Sequence, residues 1–309
     1  MYIEVSAIIC THNRAKYLRK AIRSLADQSL RKSLYEIIII DNGSTDNTKR
    51  IVLEELASVS NLRYVYEPVL GLSQARNTGW KNAEGEYVAY LDDDAIAGPQ
   101  WLEKILLTFN SVKPVPGAVC GKVEPIWEAP RPGWVPDSML GAFTIVDWSQ
   151  CPIILNKKQF LPGANFALPI YLIRKVGGFK TKLGRQGNKL LSMEETLLRR
   201  EIEAMGYYCY YNPQIAVRHH ILASRLTQRW FLGRWYWQGI SEAVLQVYLE
   251  SLYPSERIRR VIPLARRLLL PPGRLPRLLL ATNCPDRFAA KCLDLSRLGY
   301  MVGMLGIAK

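Results

Sequence analysis

Residues 36–46 read Glu36-Ile37-Ile38-Ile39-Ile40-Asp41-Asn42-Gly43-Ser44-Thr45-Asp46. Four consecutive isoleucines predict a β-strand buried on both faces. The run stops in a dense turn cluster. Thr45 or Asp46 is placed to cap a following helix that carries Ile51, Val52 and Leu56. The same grammar repeats on either side. Upstream, Val5 to Cys10 is a short apolar run ending in the polar Thr11-His12-Asn13-Arg14, then Leu18, Ile22 and Leu25 recur at helical spacing. Downstream, Leu62 to Tyr66 reads as a strand, Ser73 to Asn82 as a helix, and Tyr87 to Leu91 as a fourth strand ending abruptly in Asp92-Asp93-Asp94. Strand and helix alternating at this spacing predict βαβ units. The expected fold is α/β: a mostly parallel twisted sheet flanked by helices, with a helical basic C-terminal appendage. Ligands of open α/β sheets bind beyond the carboxyl ends of the strands. Thr11–Arg14, Asp41–Asp46 and Asp92–Asp94 are therefore expected to meet in one crevice.

Beyond residue 110 the texture changes. Seven prolines between Pro114 and Pro152, with Trp127, Trp134 and Trp148 among them, read as an irregular connecting region around a pocket. Order returns over 166–220, with a helix near Pro169–Val176, a Gly-Gly-Phe turn, a helix around Glu194–Met205 and a strand near Tyr207–Tyr211. The expected division is a body over 1–220, with halves of about 1–110 and 111–220, and a helical basic region over 221–309.

The chain has 309 residues and a net charge of +14, and its 49% hydrophobic content is that of a globular protein. The charge is unevenly placed. Residues 1–217 hold 26 basic and 22 acidic side chains, a net +4, whereas residues 218–309 hold 15 and 5, a net +10. No window approaches the roughly 18–20 apolar residues of a membrane-spanning helix. Met1-Tyr2-Ile3-Glu4 lacks the basic-then-apolar layout of a secretory signal. A cytoplasmic protein is expected, neither integral to a membrane nor secreted. The six cysteines are scattered without a CxxC pair, which predicts reduced thiols rather than a disulfide framework or a zinc site.

Three adjacent aspartates repel one another, and a divalent cation among them relieves the repulsion. Mg2+ and Mn2+ take such hard oxygen ligands; a solvated acidic loop is the plainer alternative. Asp41 directly follows the isoleucines, where its carboxylate could accept a hydrogen bond from a nucleobase or ribose. An ordinary Asn-Gly turn explains Gly43, Ser44 and Asp46 without any ligand.

Together these segments match a known pattern. Ser6–Arg14, Ile39–Thr48, Gly71-Leu72-Ser73-Gln74-Ala75-Arg76-Asn77 and Tyr90–Asp94 resemble, in order and spacing, the family 2 glycosyltransferases. Pro162-Gly163-Ala164-Asn165-Phe166-Ala167 and Val176-Gly177-Gly178-Phe179 resemble that family's acceptor-side segment, and Ser192-Met193-Glu194-Glu195-Thr196 its acidic catalytic motif. The resemblance spans about residues 4–220 and implies a GT-A fold. It implies an inverting, non-processive transfer of a single sugar from a nucleoside diphosphate sugar to a saccharide or lipid-linked acceptor, in the making of a cell-surface or secreted polysaccharide. By position, Thr11, Asn13, Arg14, Asp41, Arg76, Asp92 and Asp93 are implied nucleotide-sugar contacts. Asp92 and Asp94 match the DxD motif that holds Mn2+ or Mg2+, with His219 of the His219-His220 pair completing the site and His12 shaping the first loop. Glu195 matches the catalytic base, with Glu194 before it; the family commonly has Asp there, and the extra methylene of Glu195 lengthens its reach. Gly163 and Asn165 are implied on the acceptor side. Processive members carry Gln-x-x-Arg-Trp and then membrane spans, and Gln228-Arg229-Trp230 lacks that spacing.

The basic tail interleaves Arg225, Arg229 and Arg234 with Trp230, Phe231, Trp235, Tyr236 and Trp237. Further on, Arg257, Arg259, Arg260, Arg266, Arg267, Arg274 and Arg277 stand among Ile258, Ile262, Leu268–Leu270 and Leu278–Leu280. Such segments suit an anionic membrane surface, which makes a peripheral position at the inner face the expectation and nucleic acid an unexpected partner. A packed appendage with a solvated basic face is the plainer reading. Two rival functions are a nucleotidyltransferase, disfavoured because residues 5–14 contain no glycine, and a non-catalytic GT-A-like nucleotide-sugar-binding protein.

Overall fold

In the computed structural model, which describes residues 2–187, 189–270, 278, 280 and 282–307, the isoleucine run forms β2 (Tyr35–Asp41), all seven residues of which are buried. Around it stand β1 (Val5–Thr11), α1 (Ala15–Ala26), α2 (Thr48–Leu56), β3 (Leu62–Tyr66), α3 (Leu72–Lys81) and β4 (Tyr87–Asp92). β1 pairs in parallel with β2 and β4, and β2 with β3. The stripe predicted on α1 is buried at Leu18, Ile22 and Leu25. Asp46 accepts the Thr48 backbone N–H that opens α2, as an acidic residue at a helix start should.

The chain continues through β5 (Ala95–Ala97), α4 (Trp101–Ser111), β6 (Ala118–Trp127), β7 (Ile153–Ile154), β8 (Asn165–Pro169), α5 (Ile170–Lys175), α6 (Glu194–Ala204) and β9 (Cys209–Ile221). Among the described residues the strands form one sheet in the order β3-β2-β1-β4-β8-β6-β9-β5, with β7 paired to β9. The parallel half is continued by antiparallel partners, β8 beside β4 and β5 beside β9.

Two expectations are corrected here. The proline-rich stretch is not wholly irregular, because Ala118-Val119-Cys120 opens β6, which runs through Pro125. Its ladder to β8 involves Val119 and Cys120, so Pro125 falls beyond that pairing. The strand expected to stop at Tyr211 runs on to Ile221, with Ile215, Val217, His219 and Ile221 buried in alternation.

Two compact units divide the chain. The first comprises Met1–Ile126, Thr144–Thr181 and Glu194–His220; the second comprises Trp127–Phe143, Lys182–Met193 and Ile221–Lys309. The single cut expected at residue 220 thus leaves out two earlier segments that cluster with the C-terminal helices. The second unit carries α7 (Gln228–Glu250), α8 (Pro254–Leu269) and α9 (Pro285–Met304). α7 and α9 cross at glycines: a Cβ on Gly299 would stand 1.9 Å from the Tyr236 carbonyl oxygen, and one on Gly239 1.8 Å from that of Ser296. Phe143, Phe231 and Phe288 are buried together beside Trp134. No helix among the described residues is long and apolar enough to cross a membrane. Arg274, Arg277 and Leu279 of the basic tail lie outside the described residues. All six cysteines are free, and Cys120, Cys209 and Cys292 are buried.

Candidate active site

Parallel register brings the predicted strand ends together. Thr11 pairs with Asp41, and Cys10 with Asp92. Thr11 and Asp41 are both buried. One Asp41 carboxylate oxygen accepts the Ser44 backbone N–H at 2.9 Å, and the other accepts the Tyr64 hydroxyl at 2.8 Å. Burial and Asp41 together push the Tyr64 phenol up, so it stays a donor. Tyr64 was missed in the sequence. Its signal is the alternation Tyr64-Tyr66, since Tyr66 is the register partner of Asp41 and Tyr64 the diagonal neighbour on the same face.

Asn13 ties the first loop to the second. With φ at 53°, its side-chain oxygen accepts the Thr45 and Asp46 backbone N–H groups at 2.7 and 3.3 Å, and its own N–H donates to Ser44 Oγ at 3.0 Å. His12 lies 2.8 Å from the Asn42 carbonyl oxygen through Nδ1, which shapes that loop as expected. Arg14 stands 3.8 Å from Asp94.

The acid cluster closes around His219. β5 pairs with β9 so that Ala95 faces His219, and the Asp94 carbonyl accepts the His220 backbone N–H at 2.9 Å. This pairing sets His219 Nε2 2.9 Å from Asp94 Oδ1, with both side chains buried. His220 packs its ring 5.2 Å from that of Tyr17. Ligand atoms of Asp92, Asp94 and His219 all lie within 4.8 Å of one another. Burial raises Asp92 against the pull of Arg76, and Asp94 raises it further. Burial and Asp94 push Asp93 up to about 7, against Arg14 and the Thr11 hydroxyl. A divalent cation reverses that trend by favouring the ionised forms. Two carboxylate oxygens and an imidazole nitrogen are a donor set that Mn2+ accepts readily and Mg2+ accepts through its oxygens. The residues fit a metal site.

The carboxylate pair opens α6 after Met193, whose φ is 79°. Glu194 is buried. Arg76, on α3 and 2% exposed, places Nη1 3.0 Å from Glu194 and 2.7 Å from Glu195, and Nη2 3.9 Å from Asp92. Nη2 also donates to the Gly163 carbonyl at 3.2 Å. Burial works against the guanidinium charge, but Glu195, Glu194 and Asp92 outweigh it and hold the group protonated. The structure therefore places Arg76 against the two glutamates, with the Asp92 carboxylate at a longer distance from the same guanidinium. Gly163 belongs to the same cluster: a Cβ there would stand 2.1 Å from Glu195 Oε1.

Asn165, expected on the acceptor side, makes its side-chain hydrogen bonds within the fold. Asn165 is fully buried in β8. Its amide accepts the Trp101 indole N–H at 2.8 Å and donates to the carbonyls of Lys122 at 3.0 Å and Ile215 at 2.7 Å. With those bonds made, it braces the antiparallel half of the sheet.

Known proteins share the sequence pattern and the fold. The model of the family described as Glycosyl transferase family 2 matches residues 6–164. The chain is 27% identical over 259 residues to glucosyl-dolichyl phosphate glucuronosyltransferase of Haloferax volcanii, an alignment covering 82% of this chain and 79% of the relative. Among solved structures it resembles a mannosyltransferase of Pyrobaculum calidifontis in complex with GDP-Man and Mn2+, with a TM-score of 0.63, 19% identity and coverage of 100% of this chain and 89% of that one. It also resembles S. aureus TarS 1-349 in complex with UDP-GlcNAc, with a TM-score of 0.54, 17% identity and coverage of 98% and 92%. The fold is of the GT-A type that the motifs implied, and the chain belongs to glycosyl transferase family 2 and is a glycosyltransferase.

Proposed function

We propose that the chain transfers one sugar from a nucleoside diphosphate sugar to a hydroxyl of a saccharide or lipid-linked acceptor, with inversion at the anomeric carbon and with Mn2+ or Mg2+. The observation that carries this reading is the convergence within one unit of the Asp92, Asp94 and His219 ligand atoms and a carboxylate pair, linked through Arg76. Relatives support its parts. The names of two structural neighbours pair the fold with GDP-Man and UDP-GlcNAc. That of the Haloferax relative points to a dolichyl phosphate-linked sugar as acceptor. We place the reaction in the cytoplasm at the inner membrane face, in polysaccharide biosynthesis.

When bound at Asp92, Asp94 and His219, a divalent ion supplies positive charge beside the diphosphate as it departs. The other roles belong to the chain's own residues. Asp41, immobilised by Ser44 and Tyr64, offers an acceptor to the base or ribose beside Thr11. Glu195, held by Arg76, takes the proton of the acceptor hydroxyl as that oxygen bonds to the anomeric carbon. The bond from this carbon to the diphosphate oxygen breaks, and the electron pair leaves with the diphosphate. Attack from the face opposite the leaving group needs one base, so one carboxylate suffices.

The test is transfer and donor hydrolysis by wild type and Glu195→Gln, with Mn2+, with Mg2+ and with chelator, and the anomeric configuration of the product by NMR. Glu195→Gln is expected to lower turnover by roughly 10²–10⁴-fold while nucleotide binding persists. Undiminished turnover in Glu195→Gln, full activity in chelator or a retained configuration would each overturn the corresponding part of the reading.

A further inference from the structure

The basic excess of the C-terminal region becomes a defined surface on α8. One side of this helix is packed. Val261 lies against the small core of Ala243, Leu252 and Met304, and Leu268 is buried. Two arginines on this side are tied down, Arg257 to the Leu252 carbonyl and Arg260 to Glu250. The helix has one acidic residue, Glu256, and its carboxylate caps the helix start by accepting the Tyr253 backbone N–H at 2.8 Å.

The other side combines two chemistries. Ile258 and Ile262, one turn apart, are 51% and 45% exposed. Arg259 and Arg266 are exposed next to them. At about 100° per residue both lie within about 60° of Ile262 around the helix axis. Among the described residues no carboxylate pairs with either arginine. Leu270 after the helix is more than 70% exposed, which extends the apolar edge at its C-terminal end.

We propose that this face of α8 docks onto an anionic phospholipid surface. A helix of 16 residues with exposed isoleucines beside unpaired arginines cannot span a bilayer, but it can lie in the interface. Its isoleucines then leave water for the acyl boundary, and its arginines reach the phosphate layer while their stems stay apolar. The charge complementarity is direct, because among the described residues no carboxylate pairs with the two exposed arginines. A nucleic acid would satisfy the arginines alone and leave Ile258 and Ile262 in water.

Co-sedimentation of the full chain with vesicles tests this. Binding is expected to vesicles of equal parts phosphatidylglycerol and phosphatidylcholine and not to pure phosphatidylcholine. It should weaken between about 0.1 M and about 1 M salt as the screening length shrinks from about 10 to about 3 Å. Arg259→Gln with Arg266→Gln should weaken binding about 25-fold, roughly fivefold per arginine. Ile258→Ser with Ile262→Ser should weaken it about tenfold. Lys49→Gln with Arg50→Gln, which removes the same charge from exposed positions of α2, should leave it unchanged. All these sites are exposed, so unaltered melting curves are expected to accompany the changes. Equal binding to both vesicle types, or an α2 variant as impaired as the arginine variant, would overturn the proposal. So would an arginine variant that loses binding while the isoleucine variant keeps it, the pattern of a nucleic-acid polyanion.

Discussion

Gly163→Ala tests the placement of Glu195 and of the Arg76 guanidinium that holds it. The glycine has no positive φ, so alanine imposes no backbone strain. Its Cβ, however, would stand 2.1 Å from Glu195 Oε1, 2.9 Å from Arg76 Nη2 and 3.1 Å from Glu195 Cδ. Restoring an ordinary contact of 3.4 Å moves the carboxylate oxygen by about 1.3 Å. The glutamate can make that move, because it is the end of a side chain and is 14% exposed. Folding should therefore change by no more than about 1 kcal/mol, a few degrees in melting temperature. Catalysis is less forgiving. A misplacement near 1 Å costs on the order of 10²-fold, about 2.7 kcal/mol of transition-state stabilisation. The expected result is a kcat/KM for transfer lowered about 100-fold, with Mn2+-dependent nucleoside diphosphate binding by calorimetry unchanged. Wild-type kcat/KM would refute the assignment of Glu195 as base in this geometry. Nucleotide affinity falling in proportion to activity would show instead that Gly163 acts on the donor.

Asp94→Asn removes the negative charge and one carboxylate oxygen beside His219, and should lower Mn2+-dependent nucleotide affinity by about 100-fold or more in calorimetry; His219→Ala should give a smaller loss in the same direction. Tyr64→Phe leaves the buried Asp41 carboxylate one donor short, at a cost of about 1–3 kcal/mol in urea denaturation, and should weaken nucleoside diphosphate binding severalfold. Gly299→Ala forces α9 away from α7, since its Cβ would meet the Tyr236 carbonyl at 1.9 Å. It should cost about 1–3 kcal/mol, read as a lowered midpoint of thermal unfolding.

The parallel half of the sheet was legible because each strand advertises itself twice, by an apolar run and by the polar turn that ends it. Ile37–Ile40 followed by Asp41, and Val88–Leu91 followed by Asp92, need only parallel pairing to stand side by side at one edge, and the register confirms it. The antiparallel half was less legible. β5 is three residues long, too short for a periodic signal. β6 and the continuation of β9 lie across prolines that read as breakers, although Ile215, Val217, His219 and Ile221 alternate in the sequence. The acceptor-side motif was visible as letters, but whether Asn165 faces a ligand or the sheet depends on Trp101, Lys122 and Ile215, none of them its neighbours in sequence.

Local chemistry by itself thus determined the strand ends, the acid clusters and the family pattern, because burial on both faces and turn-forming residues are encoded within ten residues. Only the tertiary structure decided which charges meet. Arg76 reaches Glu194 and Glu195 across 118 and 119 residues of chain, and His219 reaches Asp94 through the pairing of β9 with β5. The physical reason is that a buried arginine or histidine takes its role from whichever oppositely charged or ligating groups the packing leaves within about 4 Å, and no local pattern specifies those partners.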